Sequence, residues 1–81
     1  MKIKLLLFAH LKEIVGASEL PLEFDQACTG QDIVTKLETL YSEIGPQKPY
    51  LKLSVNGEYA ALTDTVPPDS EVALFPPVSG G

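Results

Sequence analysis

Thr63-Asp64-Thr65-Val66-Pro67-Pro68-Asp69-Ser70 separates the last strand-like run of the chain from the one before it, and decides between two folds. A ferredoxin-like βαββαβ order needs a second full-length helix at this point. The stretch is too short for one, and its two adjacent prolines remove backbone donors that a helix would use. It is therefore read as a loop joining two strands, and the chain has room for only one long helix.

Working back from this loop, Glu58 to Leu62 reads as a short strand. Asn56-Gly57 precedes it, a pair in which both residues tolerate positive φ, and predicts a tight hairpin. Leu51, Leu53 and Val55 alternate on the other arm. Further back, Thr29 with Asp32 three positions on makes a short capping box. Ile33, Val34, Leu37, Leu40, Tyr41 and Ile44 come next at helical spacing, and Gly45-Pro46 stops the helix. Lys36, Glu38 and Glu43 fall off that stripe and are read as a solvated face. Leu20, Leu22 and Phe24 alternate with Pro21, Glu23 and Asp25, an edge strand because of its proline. Ala9 to Gly16 predicts a short helix, with Leu11, Ile14 and Val15 at i, i+3 and i+4 and Gly16 as its C-cap.

Lys2 to Phe8 begins the chain with Ile3, Leu5 and Leu7 on one face. Leu6 and Phe8 make the other face apolar too, which predicts a central strand covered on both sides near its end. In the other direction, Glu71 to Phe75 is the final strand. The order β, short helix, β, α, β, β, β describes an α+β, ubiquitin-like β-grasp: a mixed sheet of about five strands, one main helix across it, and a short extra helix after the first strand. The first and last strands are expected to lie side by side, parallel, in the middle of the sheet. Residues 1–75 would form the domain and 76–81 an extended tail.

Composition narrows the function. At 81 residues and 44% hydrophobic, the chain is one small globular domain. Cys28 is its only cysteine, so no disulfide or cysteine-paired zinc site forms within the chain. The apolar run of Met1 to Phe8 breaks at His10 and Lys12 without a cleavage motif, and no stretch approaches membrane-spanning length. Together these fit a reducing cytoplasm. A formal charge of −5 with no arginine argues against nucleic acid and suits partners with basic surfaces. No phosphate-binding glycine loop or metal-ligand spacing occurs. His10, Asp64 and Asp69 have no triad-like neighbours in the sequence and read as solvated or turn residues.

The remaining candidate is Phe75-Pro76-Pro77-Val78-Ser79-Gly80-Gly81. Pro76 and Pro77 cannot extend a ladder, and their fixed φ directs the residues after them away from the body. Gly80 and Gly81 lack Cβ and can pass a narrow slot. Gly-Gly alone more often marks a frayed terminus, but here a stiff apolar segment precedes the flexible pair, and that order favours a purposeful tail. Ordering six tail residues costs about 1–2 kcal/mol each. The body must therefore help to dock, through a patch that includes Phe75 unless Phe75 belongs to the core.

Leu7-Phe8-Ala9 leading into Leu11-Lys12-Glu13-Ile14-Val15-Gly16, the Val55-Asn56-Gly57 turn, Asp69-Ser70-Glu71-Val72 and, most specifically, Phe75 to Gly81 resemble the ubiquitin-like sulfur-carrier family, in particular the small subunits of molybdopterin synthases. The resemblance spans the chain. It departs at Ser79, where the family often has Thr, and at Pro67-Pro68, where a turn of Asp and Gly is common. The resemblance implies a sulfur-donating subunit that is no enzyme on its own and binds no cofactor. On that resemblance a partner would adenylate the Gly81 carboxylate with ATP, and a sulfur nucleophile would displace AMP to leave a C-terminal thiocarboxylate. Pro76, Pro77, Val78, Ser79 and Gly80 would thread the tail into the large synthase subunit. There the sulfur would reach a pterin precursor and build the dithiolene of molybdopterin. Two small and two large subunits would form the complex. Cys28 is not required and is read as structural rather than as a sulfur relay. Alternatives are a thiazole-pathway or other ubiquitin-like sulfur carrier, or a ubiquitin-like protein modifier or interaction module.

Overall fold

A computed structural model of the chain describes residues 1–75; the tail expected at 76–81, with its candidates Pro76 to Gly81, lies outside the described residues. β1 (Lys2–Leu7) buries Ile3, Leu5 and Leu7 and exposes Lys2 and Lys4, as its alternation requires. α1 (Ala9–Val15) ends at Gly16, whose φ of 83° lets its N–H return to the Lys12 carbonyl. β2 (Glu19–Glu23) returns antiparallel to β1. After β3 (Cys28–Thr29) comes α2 (Gly30–Leu40), with the expected capping box: Asp32 N–H donates to Thr29 Oγ1 and Thr29 N–H to the Asp32 carboxylate. A 3-10 helix (Ser42–Tyr50) leads to β4 (Lys52–Val55), β5 (Glu58–Ala60), β6 (Thr65–Val66) and β7 (Glu71–Phe75).

The main sheet has the order β2-β1-β7-β4-β5. β1 and β7 are parallel, with Leu5 opposite Val72 and Leu7 opposite Leu74. This is the β-grasp arrangement. Ile33, Val34 and Leu37 of α2 pack on Leu5, Leu7, Leu53, Val72 and Leu74, while Leu11 and Ile44 complete the same core. Each such fully buried aliphatic side chain contributes about 1.5–3 kcal/mol relative to exposure. Asn56 and Gly57 take φ of 51° and 89°, the hairpin turn read from the sequence. Asn56 also clamps the start of β7: its N–H donates to the Glu71 carbonyl, and its Oδ1 accepts the Glu71 N–H. Buried Ser70 is satisfied by Asn56 and by the Pro67 carbonyl.

Several expectations are corrected. The long helix stops at Leu40, not Ile44. Tyr41 leaves helical geometry at φ −136° and ψ 94° with its N–H still bonded to the Leu37 carbonyl, and Pro46, lacking an N–H for the Ser42 carbonyl, bars the α-helix from resuming there. The expected loop through Lys48 and Pro49 is instead the 3-10 helix, and Ile44 stays buried from it. Lys36 and Glu38 are not simply solvated. Lys36 donates to the Glu23 carbonyl and lies 4.8 Å from the Phe24 ring centroid, and Glu38 pairs with Lys48 at 2.7 Å. The Thr63 to Ser70 loop contains β6, which pairs with β3 as a second small sheet. Finally, β1 is not covered on both faces: Leu6 is half-buried and Phe8 exposed.

This packing has two measurable consequences. A Cβ at Gly30 would sit 2.5 Å from Leu53 Cδ2 and 3.1 Å from Leu62 Cα. Gly30→Ala should therefore cost about 1–3 kcal/mol in urea unfolding, and an unmoved midpoint would contradict this close approach. Burial, and secondarily the charge of Asp32, pushes the Cys28 thiol up. A raised folded pKa means that the contribution of Cys28 is complete below the ordinary thiol value of about 8.5 and is lost as pH climbs through the raised one. Wild type should thus lose stability across that alkaline window, and Cys28→Ala should lose less when the two melting curves are compared.

Candidate functional site

The open face of the sheet, opposite α2, carries an aromatic surface that the architecture leaves uncovered; among the described residues Leu40 and Tyr50 are also exposed, at the ends of α2 and the 3-10 helix. Register dictates the composition of the open face. Leu6 stands beside Ala73, Ala73 beside Ser54, and Ser54 beside Tyr59, which makes one row across four strands. The next row is Phe8, Phe75 and Lys52, with Lys52 the cross-strand partner of Phe75. Phe8 stacks on Phe75 with ring centroids 5.1 Å apart and planes 7° from parallel. The Tyr59 ring lies 6.1 Å from Phe75 on the other side. Tyr59 is 81% exposed and Phe8 44%. Aromatic pairs of this kind hold about 0.5–1.5 kcal/mol beyond their buried area.

Local sequence explains why these rings project. Phe8 keeps extended backbone, φ −127° and ψ 157°, so it continues the outward parity of Lys4 and Leu6 for one residue beyond β1. Ala9 then takes φ 53°, a left-handed turn that sends Leu11 inward and leaves Phe8 outside. Phe75 ends β7 with Val72 and Leu74 pointing into the core and Ala73 and Phe75 away from it. Of the two readings left open for Phe75, core or surface patch, its half-buried place on the open face is the patch. Tyr59 owes its place to the two-residue turn, which fixes Ser54 opposite Tyr59.

Phe8 and Tyr59 are absent from the site residues expected on sequence grounds, although the sequence carries a signal for Phe8. One long helix covers one face of a sheet, so apolar residues on the second face of β1 indicate an uncovered surface, not a second layer. The other flagged residues do not gather here. Cys28 is buried in β3. His10 is exposed on α1, where Nε2 hydrogen-bonds the Gln47 amide oxygen. Asp64 organises its own turn by accepting from Ala61 N–H, and its carbonyl accepts the Gly30 N–H at the start of α2. Asp69 turns the chain at φ 59° beside the Lys2 carbonyl. Among the described residues no group of three His, Cys, Asp or Glu side chains could hold a metal ion, and no helix is long and apolar enough to cross a membrane.

The fold has counterparts in known proteins. The molybdopterin synthase sulfur carrier subunit of Dictyostelium discoideum is 34% identical, covering 99% of this chain and 96% of that one. Small archaeal modifier protein 1 of Haloferax volcanii is 32% identical, covering 93% and 95%. The crystal structure of SAMP1 from Haloferax volcanii superposes with a TM-score of 0.81 at 28% identity, over 100% of both chains. Residues 5–81 match the ThiS family, and the chain belongs to it.

Proposed function

We propose that this chain is the sulfur-carrier subunit of a molybdopterin synthase, with the Gly81 carboxylate as its chemical handle. The observation that carries the reading is the run Phe75-Pro76-Pro77-Val78-Ser79-Gly80-Gly81 continuing directly from the central strand, its first residue rooted in the open aromatic face. A carboxylate is a poor electrophile and holds no sulfur. In the adenylating partner the Gly81 carboxylate oxygen attacks the α-phosphate of ATP, releasing pyrophosphate and forming an acyl-adenylate. A sulfur nucleophile then adds at the carbonyl carbon and expels AMP, leaving a thiocarboxylate. That sulfur is anionic at neutral pH and nucleophilic, so it can be passed to a pterin precursor in the large subunit.

Division of labour between body and tail has an energetic cause. Ordering the six tail residues costs on the order of 6–12 kcal/mol, and they bring little apolar area beyond Val78. The rings of Phe8, Tyr59 and Phe75 offer a rigid surface whose burial against the large subunit offsets that cost. In this reading the tail supplies chemistry and the face supplies affinity. Two small and two large subunits make the working assembly, and ATP is consumed by the adenylating partner.

A second reading, a protein modifier, is favoured by the similar identity to Small archaeal modifier protein 1. The two differ in product. With an adenylating partner, ATP and sulfide, a carrier should show one terminal oxygen replaced by sulfur in its intact mass spectrum, and a chain lacking Gly81 should not. Isopeptide-linked adducts on lysines, without the sulfur exchange, would support the modifier instead. Phe75→Asp should leave the free domain folded, with a modest loss of thermal stability from the lost Phe8 contact, while weakening binding to the large subunit at least about tenfold. Leu74→Asp should unfold it, because Leu74 is fully buried.

A further inference from the structure

Lys52 stands next to Phe75 on the open face, the two being opposite each other in the β4–β7 ladder. Four of the other lysines are engaged. Lys2 and Lys4 lie 3.6 and 3.7 Å from Glu23 and Glu19, Lys48 lies 2.7 Å from Glu38, and Lys36 donates to the Glu23 carbonyl. Among the described residues only Lys12 and Lys52 lack such a partner, and Lys12 is on α1, outside the sheet ladder. In a chain of net charge −5, an exposed lysine bordering an aromatic patch is the odd charge out.

We propose that Lys52 is a specificity-determining residue of the docking face, meeting a carboxylate on the partner surface that receives Phe8, Tyr59 and Phe75. The proposal rests on the reading of that face as the docking surface for the large synthase subunit. Apolar contact is non-directional, so three rings on one face of a sheet leave rotation about the contact poorly determined. A single cation at the edge of the patch selects the orientation in which it finds an acid. It also fixes where the tail points, because Lys52 and Phe75 share one row and Phe75 is the root of the tail. A partner whose surface is otherwise basic, to suit this acidic chain, must therefore present an acidic group at this one place.

The test is stopped-flow association with the large subunit of the same source, at about 20 mM and about 500 mM salt, for wild type, Lys52→Met, Lys52→Glu and Phe75→Ser. Lys52→Met keeps the aliphatic stem and removes only the charge. The expected result is association about fivefold slower for Lys52→Met and more than about tenfold slower for Lys52→Glu at low salt, converging toward wild type at high salt. One carboxylate-to-lysine change in the partner should restore Lys52→Glu. If Lys52→Met and Lys52→Glu bind as wild type while Phe75→Ser does not, the face docks but meets no acid, and the proposal fails alone. If Phe75→Ser also binds as wild type, the docking reading falls and takes the proposal with it.

Discussion

The ladder between β1 and β7 puts Lys4 beside Glu71 and Leu7 beside Leu74, so the last strand runs up the middle of the sheet, parallel to the first. Most other features depend on that pairing. It buries Val72 and Leu74 under α2, and it brings Phe8 and Phe75 within stacking distance although they are far apart in sequence. It also makes the most constrained strand of the molecule the one to which the C-terminal residues are attached. Val72 to Leu74 are paired on both sides and cannot fray without opening the core, and Phe75, one residue further on, is paired with Lys52 of β4.

The coverage of the sheet is unequal on its two faces. α2 and the 3-10 helix close one side. On the other, charged side chains occupy the β1–β2 end, where Lys2 and Lys4 pair with Glu23 and Glu19. Such exposed pairs hold little energy, about 0–1 kcal/mol each, and mainly keep that end hydrated. Toward the end of the sheet that holds Phe75, the same face turns aromatic. The change from charged to aromatic along one face comes from period-two alternation in β1, where Lys2 and Lys4 give way to Leu6 and Phe8. In the proposed reading the aromatic face serves recognition and the tail serves reactivity. This suits a family in which the Dictyostelium relative is named as a carrier and the Haloferax relative as a modifier.

Elements with a strong local cause are legible in the chain. The capping box at Thr29 and Asp32, the left-handed stop at Gly16, the Asn56-Gly57 turn and the alternation of β1 each depend on residues within one turn or one strand. Sequence and structure part where distant segments compete. Ile44 sits at helical spacing from Leu37 and Leu40 and stays buried in the core, yet the backbone reaches it by a 3-10 helix that follows an extended Tyr41. β3 and β6 are two residues each and exist only because Cys28 finds Val66 across the molecule. The apolar character of Leu6 and Phe8 suggests a second covering layer; its actual cause is an aromatic face left open.

The number and kind of the main elements, the lack of room for a second long helix, and the Phe-Pro-Pro-Val-Ser-Gly-Gly run are all readable from the chain alone, since they depend on backbone chemistry local to Pro, Gly and the alternating strands. Which apolar side chains stay outside is settled only by folding. Whether Phe8, Tyr59 and Phe75 are core or surface depends on which face of the sheet α2 occupies, a relation among segments that no single stretch encodes. The position of Lys52 beside Phe75 likewise exists only through the β4–β7 register, because cross-strand neighbours are made by folding and not by sequence distance.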